Sequence, residues 1–375
     1  MAEKHASLKR QQRISAFFVN LTLIFICLLF MVPIFGIFIT SFRQSEKIFN
    51  SGWWTFFPHK VWQETGEIKL DKDVDLNGVI SFTLEDGTKV EGTYAILKNG
   101  VFLKDGTKVQ YIGAKRTRTI KLSEKRWMGF ETDLTLENYK NVLTGKAISY
   151  KGEDGSILTR NGTDLSKSFI NSFAVTIPST IIPILIAAFA AYGFAWLNFR
   201  GRKVMFTMVV ALLVVPLQIA IVPVLQDFSK VNLNGTFLGI WLAHTGFGLP
   251  LAIYLLFNYI SELPRDILES AFIDGATNFT IFTQLILPLS VPAIASFAIF
   301  QFLWVWNDYL VALVVLGGGN NEVVTQTLAN MVGTKGQDWH LLTAGAFVSM
   351  VVPMVVFFSL QRYFVRGMMA GSVKG

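Results

Sequence analysis

The chain has 375 residues, 52% of them hydrophobic and only 16% charged, with 33 phenylalanines. That balance excludes an ordinary soluble domain and points to a polytopic membrane protein. It also makes the formal net charge of +7 in part a topogenic excess of Lys and Arg beside spans rather than a nucleic-acid footprint. Cys27 is the only cysteine and lies in an apolar run, which excludes a disulfide framework, a Cys/His metal cluster and a redox pair.

Residues 1–13 carry Lys4, Lys9, Arg10 and Arg13 and read as a cytoplasmic N-terminus. Residues 14–42 form the first transmembrane helix. The apolar run continues through Pro33 with no small-residue cleavage site, so it reads as a retained span rather than a signal peptide. Residues 43–168 are polar, charged and Gly-containing, and read as an extracytoplasmic loop. Within it LEDGTKVEGTY (84–94) and LKDGTKVQYIG (103–113) form a near-repeat centred on Asp-Gly between β-forming residues, the strongest short hairpin signal. GEDGS (152–156) offers a further turn. A small β-rich insertion is expected over about 60–130, with Lys115, Arg116, Arg118, Lys121, Lys125 and Arg126 as either a docking face or a solvated surface.

Residues 169–364 read as a transmembrane core of five more helices, which gives an all-α polytopic fold of six spans. The second span, 169–196, contains Pro178 and Pro183, tolerable where neighbours satisfy the freed hydrogen bonds. Its small-residue half, AAFAAYGFAW, suits close helix packing in lipid. Arg200, Arg202 and Lys203 mark a cytoplasmic turn. The third span, 204–225, is interrupted by Pro216 and Pro223, and the fourth, 236–260, holds His244. The fifth is 289–316 and the sixth 341–364, followed by a cytoplasmic tail, 365–375. This places the Lys/Arg clusters at 4–13, 200–203 and 362–374 on one side, as the positive-inside rule requires.

The fourth and fifth spans are joined by residues 261–288, which carry Glu262, Arg265, Asp266, Glu269 and Asp274 and therefore lie outside hydrocarbon. Pro264 suits a helix start. Ile267, Leu268, Ala271 and Phe272 recur at helical spacing, and Gly275 falls where a left-handed cap ends a helix. Thr277 or Asn278 can cap a second helix, expected to stop at Pro288. The run ESAFIDGA followed by LILP resembles the EAA loop of permease subunits in ATP-binding-cassette importers, with Ser270 and Leu285 in place of the usual Ala and Ile. In that family the loop is the coupling helix docked in a cleft of the ATPase. The resemblance therefore implies ATPase coupling by Glu269, Ala271, Asp274, Gly275, Ala276 and Pro288.

WWTFFP (53–58), TLENYKNVL (135–143) and the C-terminal QRYFVRGMMAGSVKG are similar to segments of sugar-importer permeases, and so is the Trp-Asn-acidic pattern at Trp306, Asn307 and Asp308. The resemblance is to the second permease of maltose-type systems, and the long insertion suggests α-glucosides or related oligosaccharides as substrates. It implies an inner-membrane heterodimer with a homologous permease, two ATP-binding subunits and an extracytoplasmic sugar-binding protein. ATP and Mg would sit on the partner ATPases, so no cofactor is expected on this chain. It also implies contact of Gly371, Ser372, Val373, Lys374 and Gly375 with the ATPases.

Trp304, Trp306, Asn307 and Asp308, with Gln301, are the candidate substrate path, because aromatic faces beside amides and a carboxylate suit carbohydrate; a packing role is the competing reading. No P-loop, nucleophile elbow or zinc-protease motif occurs, so no catalytic residue, metal site or enzyme activity is expected. Two other transport readings stay open: a proton-coupled carrier using Asp308 or His244, and an importer of another small solute such as a glycerol phosphate. A membrane-anchored receptor would leave residues 261–288 unexplained.

Overall fold

The computed structural model describes residues 2–71, 73–84, 87–145, 148–151, 157–160, 164–332 and 339–370. The expected turn at 152–156 and the tail residues Gly371, Ser372, Val373, Lys374 and Gly375 lie outside the described residues. The chain divides into two compact units, one of residues 1–45 with 135–375 and one of residues 46–134.

The larger unit is helical. Its elements are α1 (Ala2–Phe42), α2 (Glu137–Thr144), α3 (Leu165–Trp196), α4 (Arg202–Val214, ending in a 3-10 turn) and α5 (Leu217–Lys230). There follow α6 (Phe237–Ser261), α7 (Arg265–Ile273), α8 (Asn278–Leu289), α9 (Val291–Trp306), α10 (Leu310–Val315), α11 (Val324–Val332) and α12 (Trp339–Ala370). Among the described residues four helices are long and apolar enough to cross a membrane: Gln12–Phe42, Leu165–Trp196, Phe237–Ser261 and Trp339–Tyr363. The count reaches 6 if α4 with α5 (bent 105°) and α8 with α9 (bent 69°) are each one span. The 105° break has a local cause: Val215 precedes Pro216, a position driven out of the helical region, and takes ψ 118°.

Three apolar clusters are buried among the described residues of the bundle, the smallest joining Val142 of α2, Leu165 of α3, Val324 and Met331 of α11 and Leu341 and Ala344 of α12; the two larger ones lie among α3, α5, α6, α8, α9 and α10. One joins Ala187, Ala188 and Ala191 of α3 to Ala252, Ile253 and Leu256 of α6, with Phe282 and Ile286 of α8 and Phe297 of α9. The alanines let α3 and α6 approach closely, as expected where packing rather than water expulsion drives association. The other joins Val175, Ile221, Ile240, Val305 and Val311. Half of α6's most apolar window is buried (50%) against 11% for α1, so α6 is central and α1 peripheral, its long apolar face left for lipid. The C-terminal end of α1 is tied down by polar contacts. Asn138 Nδ2 donates to the carbonyls of Ser41 and Arg43 (both 2.9 Å), and Ser41 Oγ lies 2.6 Å from Tyr139 Oη.

The smaller unit is β-rich. Strands β1 (His59–Lys69), β2 (Val79–Thr83), β3 (Lys89–Thr93), β4 (Val101–Phe102), β5 (Lys108–Ile112) and β6 (Thr119–Met128) form a four-stranded antiparallel sheet of order β1-β6-β5-β4 and a separate β2-β3 hairpin. Both copies of the near-repeat close with the same backbone hydrogen bond. Leu84 N–H donates to Thr88 O and Leu103 N–H to Thr107 O, with Gly87 (φ 84°) and Gly106 (φ 89°) in the left-handed region. In the second copy the Thr107 backbone N–H and then its hydroxyl hold the Asp105 carboxyl below the usual carboxylate range. Ile80, Leu97, Val109, Tyr111 and Ile120 fill the core. Near the ends of this unit, hydrogen bonds to Asp133 and Glu131 hold the Lys47 ammonium above its ordinary range.

The six basic residues of this unit do not share one face. Strand alternation puts Lys121, which pairs with Glu64, and Lys125, which lies over Trp62, on one face of β6 and Arg126 on the other. Lys115 is engaged by Asn77 Oδ1 (2.8 Å) and lies over the Tyr94 ring, while Arg118 donates to the carbonyls of Asp71 and Val74.

Candidate functional site

The charged connector between α6 and α8 is a helix with a defined exit. α7 begins after Pro264, which sits one residue earlier than the first helical turn, as its N-cap (ψ 128°). It ends in a Schellman motif. Ala276 N–H donates to Ala271 O (3.0 Å), Gly275 N–H to Phe272 O (3.1 Å), and Gly275 adopts φ 79°. Thr277 caps the next helix, its hydroxyl accepting from Thr280 N–H at 3.2 Å. Leu268 anchors α7 on the bundle at 2% exposure, a burial that stabilises the docked helix by about 1.5–3 kcal/mol.

The candidate coupling residues divide between two sides of this element. Ala271 and Ala276 pack inward on the α3–α6–α8 cluster, so their small size serves the chain's own packing. Glu269, Asp274 and Gly275 are exposed, together with Phe272, Ile273 (86%) and Phe279 (66%). The outward side is therefore an apolar ridge flanked by two carboxylates. Pro288 is exposed but does not end the helix. The segment runs Asn278–Ile281, then a π-turn over Phe282–Ile286, then Leu287–Leu289. The π-turn precedes Pro288, the helix ends at Leu289 one residue beyond it, and the chain bends by 69° at Ser290.

The polar residues of α6, α9 and the turn after α9 come together more tightly than their sequence separation suggests. His244 of α6 is fully buried, and its Nε2 lies 3.8 Å from Asp308 Oδ2, too long for a hydrogen bond. Asp308 accepts the backbone N–H groups of Val311 (3.4 Å) and Ala312 (3.0 Å), so it caps α10, while its carbonyl accepts Thr325 Oγ1 at 2.6 Å. Trp306 is buried, stacked parallel on Phe302 (5.8 Å) and edge-on to Phe173 (5.0 Å), with Nε1 donating to Ser349 O. Asn307 is exposed and donates to Leu303 O. Trp306, Asn307 and Asp308 thus have hydrogen-bond partners, whereas Trp304 stands edge-on to the His244 ring (5.4 Å) and lines a cavity of about 670 Å³ between α5, α6 and α9. Phe228, Phe247, Phe300 and Gln301 share that lining, as does Gly246, whose carbonyl Pro250 frees from the helix ladder.

Sequence reasoning undervalued Gln301 and passed over Trp241 and Gly248. Gln301 is 3% exposed and donates to Ser179 O of α3 (3.1 Å) and His244 O of α6 (3.4 Å). A Cβ on Gly248 would lie 2.6 Å from the Gln301 amide, so the glycine makes room for that side chain. A buried glutamine in an apolar run, opposite proline-containing helices, was the available signal.

Comparison with known proteins bears on the same segments. Residues 175–370 match the family described as binding-protein-dependent transport system inner membrane component, a stretch that includes α7 and the His244–Asp308 layer. The osmoprotective compounds uptake permease protein GgtD of Synechocystis sp. is 55% identical over 265 residues, 70% of this chain and 85% of that one. The alpha-glucoside transport system permease protein AglG of Rhizobium meliloti is 43% identical over 379 residues, 95% of this chain and 97% of that one. Among solved structures, a bacterial ABC transporter involved in the import of the acidic polysaccharide alginate aligns over 64% of this chain and 85% of that one, with a TM-score of 0.47 and 14% identity. The family match over more than half of the chain and the near-full-length similarity to AglG give one conclusion: this chain belongs to the binding-protein-dependent transport system inner membrane components and is a transport permease, not an enzyme.

Proposed function

We propose that the chain is the second permease subunit of an ATP-driven importer for α-glucosides or related oligosaccharides. The observation that carries the substrate class is the similarity to AglG over 95% of the chain, a length that takes in the β-rich unit, whereas the similarity to GgtD takes in 70%. In this reading the chain crosses the inner membrane six times with both termini in the cytoplasm. Residues 43–168 are extracytoplasmic, and the β-rich unit docks the sugar-binding protein or braces the partner permease. The partners are a homologous permease, two ATP-binding subunits and that binding protein.

The outward side of α7 supports the coupling role. Glu269, Asp274 and Gly275, with the apolar ridge at Phe272 and Ile273, offer a cleft both apolar area and charge. ATP-driven closure of the ATPases moves α7, and the bundle changes access because its two states differ in affinity for the closed ATPase pair. Trp304, beside Gln301 on the cavity, is the proposed sugar contact; the tail 371–375 reaches the ATPases.

The higher identity to GgtD favours a second reading, uptake of an osmoprotective compound. Uptake of labelled α-glucosides by cells with and without the chain separates the two. The proposal expects saturable uptake that ATP depletion abolishes and a protonophore, with ATP maintained, leaves intact. Uptake induced by osmotic stress and indifferent to α-glucoside competitors would overturn it in favour of the second reading.

A further inference from the structure

Proline inside a helix frees the carbonyl four residues earlier. α3 contains Pro178 and Pro183, which free Ala174 O and Ser179 O, and α12 contains Pro353, which frees Ser349 O. Each of these three carbonyls accepts a hydrogen bond from a side chain on another helix. Trp241 Nε1 of α6 donates to Ala174 O at 2.8 Å, Gln301 Nε2 of α9 to Ser179 O at 3.1 Å, and Trp306 Nε1 of α9 to Ser349 O at 3.2 Å. The other helix-interior prolines, Pro33, Pro223, Pro250 and Pro288, have no side-chain donor at the matching carbonyl among the described residues.

The direction of these bonds is systematic. Every donor lies on α6 or α9, the two helices that lead into and out of the α7–α8 segment. Every acceptor lies on α3 or α12, which have no covalent link to that segment nearer than a span away. Each contact meets its target helix at the point where the ladder is already open and bending is cheapest. Gln301 joins three helices at once, because it also reaches His244 O and fills the space left by Gly248. No indole or amide is needed here merely to keep a polar side chain satisfied, since an apolar residue would remove that demand altogether.

We infer that Trp241, Gln301 and Trp306 are positioning residues that transmit displacement of α7 to hinges in α3 and α12 at Pro178, Pro183 and Pro353. The inference rests on the reading of α7 as the ATPase-coupling helix. It predicts that the cross-helix bond itself, not only satisfaction of the carbonyl, is required for coupling.

The test uses the assembled importer in proteoliposomes, with uptake, ATP hydrolysis and thermal stability measured together. Gln301→Leu and Trp306→Phe remove the donor. Adding Pro183→Ala or Pro353→Ala, respectively, restores the helix's own N–H to the freed carbonyl. The expected result is that each donor variant lowers uptake per ATP hydrolysed by about two- to thirtyfold, the range of coupling changes seen for residues between distant sites. The double variants should regain thermal stability but not the uptake-to-hydrolysis ratio. Recovery of that ratio in the double variants would overturn the inference and leave a purely structural role. Unchanged coupling in the single variants would overturn it as well. If no ATPase assembles with the wild-type chain, the reading of α7 fails and the inference falls with it, which is distinguishable from failure of the inference alone.

Discussion

Gly275 closes α7 in the left-handed region at φ 79°, and a Cβ there would meet nothing within 4 Å. Within the chain, then, a side chain at this position has a backbone cost and no steric one. For alanine that cost is about 1–2 kcal/mol, enough to shift the population of the correct exit about five- to thirtyfold. Asparagine tolerates the same conformation far better, so Gly275→Asn should lose much less than Gly275→Ala. Gly275→Asp keeps the asparagine shape and adds a charge beside Asp274, on the exposed side proposed to enter the ATPase. The assay is the amount of ATPase retained by the tagged chain in mild detergent, read beside uptake in cells. The expected order of retention is wild type, then Asn, then Ala, with Asp lowest, since its charge is buried in the contact. Alanine indistinguishable from wild type in both assays would refute the reasoning, because the left-handed exit would then not set the position of α7.

Further predictions address the other parts of the chain. Asp308→Ala removes the acceptor for the Val311 and Ala312 N–H groups and should destabilise the detergent-solubilised protein by about 0.5–2 kcal/mol, whereas Asp308→Asn keeps an acceptor and most of the stability. Equal damage from both, measured by thermal unfolding, would mean that the charge facing His244 and not the cap is what matters. In the β-rich unit, the Asp105 carboxyl is held below the usual carboxylate range by Thr107. Its contribution is therefore present above that range and is lost as pH falls through the folded-state pKa. Hydrogen exchange at the Leu103–Thr107 turn, corrected for intrinsic rates, should rise over that acid window in the wild type and show no such step in Asp105→Asn; a wild-type profile without the step would contradict the assignment.

Much of this organisation is legible in the chain itself. Apolar runs announce the long helices of the bundle, and Asp-Gly between β-formers announces both hairpins of the β-rich unit. Gly275 announces the end of α7, because few residues other than glycine close a Schellman motif without strain. Local rules fell short at two prolines. Pro288 reads as a stop, yet the helix that follows the π-turn at Phe282–Ile286 ends one residue beyond it, at Leu289. Pro216 reads as an interruption within a span, yet Val215 turns the chain by 105°. The long-range pairings were out of reach altogether. That His244 faces Asp308, and that Gln301 rather than any other polar residue reaches Ser179 O, depends on helix rotation and depth, which periodicity does not encode in a helix apolar on all sides. The basic residues of the insertion left two readings open in the sequence, a docking face or a solvated surface, and strand alternation divides those on β6 between two faces.

The central claim is that residues 261–288 join this permease to an ATPase. The most direct measurement is to tag the chain, extract it from its native membrane in mild detergent, and identify what accompanies it, beside a Glu269→Lys variant. The account predicts an ATP-hydrolysing subunit and a second permease with the wild type, and retention of the permease with loss of the ATPase in the variant. Recovery of the wild-type chain alone or as a homodimer, with no ATPase across several detergents, would contradict it.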